Sequence, residues 1–211
     1  MYRDRVDAGR RLARAIRDAG VVGPDEDVVV LGIPRGGVPV AKEVAEALGA
    51  PLDVLVAHKL GAPGNPEFAI GAVAEDGTVL VDEDLVRRFG IPDDYVRDEA
   101  ERQLAEVRRR ASAYRRGRPP VPIEGKTVVV VDDGIATGAT FEAALRLLRS
   151  RGAGKIVAAV PVGPPDSVAR LEGVADAVVV PLQPTRFYAV GAWYEDFGQT
   201  PDEEVVAALA T

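Results

Sequence analysis

The residues best able to do chemistry in this 211-residue chain lie in one run, Val128-Val-Val-Val-Asp-Asp-Gly-Ile-Ala-Thr-Gly-Ala-Thr140. Four β-branched residues without a polar break predict a strand buried on both faces, as in the interior of a parallel sheet. That strand delivers two adjacent carboxylates, Asp132 and Asp133, to its C-terminal edge. A loop of small and hydroxylated residues follows, and Phe141, Ala144, Leu145 and Leu148 then recur at helical spacing. Strand, short loop and helix start together make an anion site, because free backbone N–H groups and the helix dipole both favour negative charge. Gly138 lets the backbone approach a phosphate, and Thr137 and Thr140 offer hydroxyl donors. Acceptors for hydroxyls or a metal stand at one end and a phosphate cradle at the other, a combination that ribose 5-phosphate would fill. A plain strand–turn–helix unit whose aspartates only cap the helix would show part of the same pattern.

The elements that must position this run are readable from periodicity. Residues 3–19 predict a helix with Val6, Leu12, Ala13 and Ile16 on its apolar side, and residues 27–31 a short buried strand. The loop Gly32-Ile-Pro-Arg-Gly-Gly37 leads into a helix to about Leu48. Its glycines permit positive φ and expose N–H groups, and Arg35 offers a charge-assisted contact to an anion. Residues 52–57 read as a second strand ending at His58 and Lys59, and residues 61–66 hold too many breakers for regular structure. A hairpin is expected from residues 68–74 and 78–82. Residues 83–122 interrupt the alternation: Val96, Ala100, Leu104, Val107, Ala111 and Tyr114 predict one long amphipathic helix, with Asp98–Arg102 and Glu106–Arg110 as pairs on its wet side. Strand 126–131, a helix to about Arg151, strand 156–160, a short helix near 166–171 and strand 177–180 restore the rhythm. Thr200-Pro-Asp-Glu203 reads as a capping box opening a C-terminal helix.

This alternation implies an α/β fold: a mostly parallel sheet of about five strands flanked by helices, with ligands bound beyond the carboxyl ends of the strands. One domain is expected, with a core of residues 27–82 and 124–181, a helical insertion at 83–122 and a hood segment at 182–211. The insertion could form a hood, a dimer contact or a partner surface. No cysteine is present, which excludes a disulfide framework, a thiolate nucleophile and a cysteine metal site, and a single histidine excludes a His-rich zinc site. No apolar run approaches the roughly 20 residues of a bilayer crossing, so no membrane partner is expected and the cytoplasm is the default. A net charge of -7 argues against a general nucleic-acid surface. Six arginines within residues 108–118 could still make an RNA or polyphosphate patch, although a solvated helix end explains them as well.

Residues 128–140 resemble the phosphoribosyl-diphosphate (PRPP) signature of the type I phosphoribosyltransferases. The resemblance implies Mg²⁺-dependent transfer of ribose 5-phosphate from PRPP to a nitrogenous base, with diphosphate released. It implies that Asp132 and Asp133 hold the ribose hydroxyls, directly or through Mg²⁺, and that Ala136, Thr137, Gly138, Ala139 and Thr140 bind the 5-phosphate. Residues 32–37 are similar to the family's diphosphate loop, which assigns Pro34, Arg35, Gly36 and Gly37 to that group together with Lys59. His58 reads equally as a ligand contact or a structural histidine. Residues 61–67 stand where the family carries a flexible loop that closes over the reaction, and a surface turn would look the same. The aromatic stretch 187–197 resembles the base-binding segment of the hypoxanthine–guanine enzymes, which implies Tyr188, Ala189 and Trp193 at the base and Glu195 at a metal. Core packing or an oligomer interface would use the same aromatics.

Two departures bear on the base. Ala136 stands where the purine-specific enzymes carry an aspartate, and Val160-Pro-Val-Gly-Pro164 offers no lysine to read a 6-oxo group. Hypoxanthine and guanine are therefore expected to be poor substrates. The same fold occurs in non-catalytic regulators that bind PRPP or nucleotides, and a regulator of that kind, with RNA as a candidate ligand, is the alternative function. The expected partners are PRPP, a base and a second copy of the chain in a homodimer.

Overall fold

The computed structural model describes residues 1–210; the last residue of the expected hood segment, Thr211, lies outside them. Five strands form a parallel sheet: β1 (Val28–Gly32), β2 (Leu52–Val54), β6 (Thr127–Val131), β7 (Lys155–Ala159) and β8 (Ala177–Val179). Their order across it is β2-β1-β6-β7-β8. β1 and β6 are buried along their whole length, as their unbroken apolar runs require. Helices α1 (Arg5–Ala19) and α2 (Gly37–Leu48) cover one face, and α5 (Ala139–Ser150) and α6 (Pro165–Glu172) cover the other. Leu12, Ala13 and Ile16 of α1 enter the core, whereas Val6, expected beside them, is exposed. Asp4 caps α1 by accepting from the Asp7 amide at 2.8 Å.

A second sheet is antiparallel: β3 (Ala57–Ala62), β4 (Asn65–Ala74) and β5 (Val79–Val81). It corrects two expectations. The strand expected over 52–57 ends at Val54, and the chain changes sheets so that His58 and Lys59 belong to β3. Residues 61–66 form the tip of a β-ribbon: Gly61 fits only without a side chain, since a Cβ would meet Pro66 Cα at 2.6 Å, and Gly64 turns with φ 73°. The insertion is two helices, α3 (Glu83–Arg88) and α4 (Asp93–Arg115), parted where Gly90 adopts φ 61° and Pro92 stands at the N-cap of α4. The expected C-terminal helix is α7 (Asp202–Leu209), but Thr200 is buried and Pro201 sits at the cap, so the capping box does not form. Among the described residues no helix is long and apolar enough to cross a membrane.

Side chains on α4 depart from their expected pairings. Arg102 pairs with Glu99 of the same helix rather than Asp98, and Arg110 reaches His58 of β3 rather than Glu106. Arg115 is buried at the end of α4, where its Nε donates to Asp53 Oδ1 at 2.8 Å and its two Nη atoms donate to the two Glu75 oxygens at 2.6 Å each. Asp53 also accepts from the Val121 amide at 2.9 Å. This cluster joins β2, the β4–β5 turn, the end of α4 and Val121 midway along the segment that leads to β6. Removing one partner of a buried charge cluster strands the others without compensation. Arg115→Ala should therefore lower the unfolding free energy by about 3–5 kcal/mol, read as a fall in the urea midpoint with the m-value unchanged.

Candidate active site

The site is built where β1 and β6 end side by side. Their register pairs Gly32 with Val131, and the Ile33 amide donates to Val131 O at 2.9 Å. The loop after β1 is therefore laid directly across the loop after β6. A Cβ on Gly37 would fall 2.8 Å from Val131 O and 2.9 Å from Asp132 Cα, and one on Gly36 would collide with the Asp133 carboxylate. Glycine is required at 36 and 37 by this close approach, since both lie outside the positive-φ set. The Pro34–Arg35 peptide in the same loop is cis.

Beyond Asp133 the chain turns through Gly134 and Ile135, whose amide donates to Val162 O at 3.0 Å. A Cβ on Gly134 would meet Val190 Cγ1 at 2.6 Å, so the C-terminal segment lies against this turn. Gly138 takes φ 79° at the N-cap of α5, which leaves the first amides of that helix directed at the loop. Ala136, Thr137, Ala139 and Thr140 are exposed around this cradle. Ser167 of α6 supports it from behind, donating to Ala136 O.

A match to the family model for the phosphoribosyl transferase domain spans residues 2–183. The chain belongs to the phosphoribosyl transferase family. Its parallel sheet and acid-pair loop are the type I architecture expected of residues 128–140. Two proteins of Mycobacterium tuberculosis, from strains CDC 1551 and H37Rv and provisionally named phosphoribosyl transferases, are 52% identical to it over 210 residues. The match covers 99% of this chain and 46% of theirs, so the chain spans about half the length of these curated relatives. The crystal structure of TT1426 from Thermus thermophilus superposes with a TM-score of 0.88 at 48% identity, covering 99% of this chain and 97% of that one. The AQ2163 protein from Aquifex aeolicus shares the fold at 16% identity, with a TM-score of 0.50 over 87% of this chain and 74% of its own.

Within this phosphoribosyl transferase framework the other expected residues distribute unevenly. Lys59 does not stand on the edge of the parallel sheet but on β3, with Nζ 2.7 Å from Glu67 Oε2 across the ribbon. It still shares a cavity of about 380 Å³ with Thr140, walled by Glu99 and Gln103 of α4. His58 is held at both ring nitrogens, 3.0 Å from Gln103 Oε1 and 3.0 Å from Arg110 Nη1. Because a guanidinium only donates, the nitrogen facing Arg110 is the acceptor and the other donates to Gln103. His58 is thus a structural member of the α4 contact. Arg35 turns toward α7, 3.8 Å from Asp202. Tyr188 is 89% exposed, whereas Trp193 packs with Phe187 and Val190 in the cluster of Tyr2 and Tyr194. Ala189 is exposed just before the 3₁₀ turn Val190–Trp193.

Glu195, expected at a metal, lies exposed one residue beyond Tyr194. The segment is extended at Tyr194, bridged to Tyr2, and successive side chains of extended backbone face opposite ways. Tyr194 takes the inward position and donates to the main-chain oxygen of Asp133 at 2.6 Å, which leaves Glu195 exposed. Sequence reasoning missed Tyr194, Arg5 and Ser167. Arg5 of α1 lies 3.1 Å from Asp133 Oδ2 and donates to Gly198 O at 2.6 Å. None of the three belongs to a local motif around the residues it supports.

The acid pair sits in a raised-pKa environment. Burial pushes the Asp132 carboxyl well above the ordinary range, and the neighbouring Asp133 charge adds to it. Burial also raises Asp133, with Arg5 opposing. A carboxyl whose pKa is raised by folding favours the native state below its ordinary value and loses that advantage as pH climbs through the raised one. Asp132→Asn keeps the acceptor for the Asp133 amide, which lies 2.8 Å from Asp132 Oδ1. In metal-free buffer at neutral pH this variant should be more stable than wild type. The gap should close as pH falls toward 3.8, the ordinary value. Denaturant titrations across that range measure it, and a variant less stable than wild type at neutral pH contradicts the assignment.

Proposed function

We propose that this chain transfers ribose 5-phosphate from PRPP to a ring nitrogen of a base, breaking the C1–O bond to diphosphate and forming C1–N. One observation carries the reading: the Gly36–Gly37 backbone lies against the Asp132–Asp133 pair, which leads straight into the phosphate loop. A sugar bearing phosphate at one end and diphosphate at the other meets, in order, a helix N-terminus, two acceptors and a glycine loop with Arg35. Amides at the start of α5 and the Thr137 and Thr140 hydroxyls would hold the 5-phosphate. Asp132 and Asp133 would accept from the ribose hydroxyls and fix the ring while charge develops at C1. The exposed faces of Arg35 and Lys59 would meet the diphosphate as Arg35 leaves Asp202 and Lys59 leaves Glu67, both solvent-exposed pairs of little strength.

The donor set fits Mg²⁺: two carboxylates, without a third His, Asp or Glu grouped beside them among the described residues, suit an ion that keeps its waters and shares substrate phosphates. Asp132 and Asp133 would hold it, and when bound it would neutralise the departing diphosphate. The β3–β4 ribbon, carrying Lys59, would exclude water from the reacting carbon. Tyr188 offers an open ring face for stacking, which accepts any planar base and confers little identity. Arg108, Arg109, Arg110 and Arg115 of the Arg-rich segment are engaged by Glu75, Glu106, His58 and Asp53, which weighs against an RNA-binding patch there. A homodimer in the cytoplasm belongs to the same reading.

Calorimetry of PRPP with excess Mg²⁺, then diphosphate release across a base panel, tests it. Asp133→Asn should weaken PRPP binding by at least about tenfold, the loss of one charge-assisted hydrogen bond, measured on variant protein shown to be folded. Hypoxanthine and guanine should turn over poorly beside the best base, because Ala136 and the apolar residues 160–164 give their edges no side-chain partner. Tight PRPP binding with no diphosphate release on any base would replace the enzyme by the non-catalytic regulator.

A further inference from the structure

The N-terminal helix lies outside every motif of the site, yet it sends one side chain into the middle of it. Arg5, in the first turn of α1, places Nε 3.1 Å from Asp133 Oδ2. Its Nη1 donates to Gly198 O at 2.6 Å, and its guanidinium lies 4.1 Å from the centroid of the Phe197 ring. Both charged side chains are largely withdrawn from solvent, at 14% and 15% exposure. The glycine loop touches the same pair: a Cβ on Gly36 would crowd Asp133 and stand 3.2 Å from Arg5 Nε. One cation therefore faces an acid, the loop after β1 and the C-terminal segment together.

We propose that Arg5 is the built-in counter-cation of the acid pair, a positioning residue that holds Asp133 and keeps a bare divalent cation off the pair. This role rests on the phosphoribosyl reading for the ligand and on charge balance for the physics. Two adjacent carboxylates withdrawn from water repel each other strongly and demand a cation. Arg5 supplies one that is permanently charged, planar and held in place by Gly198 and Phe197. A bare divalent ion approaching Asp133 meets this fixed positive charge about a hydrogen-bond length from its ligand oxygen, and the two repel. The same ion carried on a diphosphate brings surplus negative charge, which Arg5 attracts. Metal should accordingly enter as its diphosphate complex rather than load the empty protein, and the site should select for ligands that bring anion and metal together.

Mn²⁺ is the probe, titrated into the full chain without sugar or nucleotide and read by electron paramagnetic resonance. Wild type should show weak, non-saturating uptake. Arg5→Gln should gain one saturable site at least about tenfold tighter, a change of about 1.4 kcal/mol, and Arg5→Gln with Asp133→Asn should lose it again. Arg5→Lys, which keeps the charge, should follow wild type. A folded Arg5→Gln protein that binds Mn²⁺ no better than wild type overturns the proposal, and so does Arg5→Lys behaving as Arg5→Gln. A tight one-to-one Mn²⁺ site in wild type that Asp133→Asn removes overturns it without any change at Arg5, which keeps the test alive if Arg5→Gln does not fold. PRPP binding to wild type is measured separately: its absence ends the phosphoribosyl reading, whereas the Mn²⁺ series is decided without PRPP.

Discussion

The parallel pairing of β1 with β6 is the constraint on which the rest depends. Both strands are buried on both faces, and their shared register brings Gly32 and Val131 level at the carboxyl edge. Two chains leaving adjacent strands at one level must cross closely, and the crossing is tolerated only because residues 36 and 37 have no side chain. Everything attributed to the site follows from that crossing. The acid pair, the glycine loop and the start of α5 are brought together by backbone geometry before any side-chain contact is counted. Ile33 and Leu55 reinforce it, with amides bonded to Val131 O and Gly32 O at 2.9 and 3.0 Å.

Two charge clusters of the same stoichiometry show what the protein does with buried ions. At Arg115 one guanidinium serves two carboxylates, with Nε on Asp53 and both Nη atoms on Glu75. All three of its nitrogens are engaged, and the cluster locks the insertion to the core. At the acid pair one guanidinium again faces two carboxylates, but Arg5 reaches only Asp133, and Asp132 Oδ1 takes the Asp133 amide. Desolvation there is only partly compensated, which is why both carboxyls are pushed up. The first cluster is closed and structural, whereas the second retains acceptor capacity at the mouth of the sheet, where a ligand can use it.

The insertion works through a relay of polar contacts along α4. Tyr95 bonds Gly61 O of the ribbon, Glu99 and Gln103 link it to His58, and Arg110 passes from His58 to Tyr114 and so to Asp202 of α7. Asp202 in turn lies beside Arg35. The single histidine is thus an internal strut between the ribbon that carries Lys59 and the helix that faces the glycine loop.

The sequence by itself determined what depends on neighbours along the chain. The buried runs of β1 and β6, the helical spacing of α2, α4 and α5, and the acid pair followed by a glycine-capped helix start are all local signals, and all are present in the fold. Only the tertiary structure decided what depends on which segments meet. The strand expected over 52–57 changes sheets after Val54, because the signal for burial is the same in either sheet and nothing local marks the crossing. Arg110 leaves its expected helical partner because His58 on another element is better placed, and no spacing rule sees across elements. Arg5, Tyr194 and Ser167 support the site from positions far from its motifs, and each is an ordinary residue until the fold sets it there. Glu195 faces outward for the complementary reason: extended backbone allows one neighbour inside, and packing against Tyr2 gave that place to Tyr194.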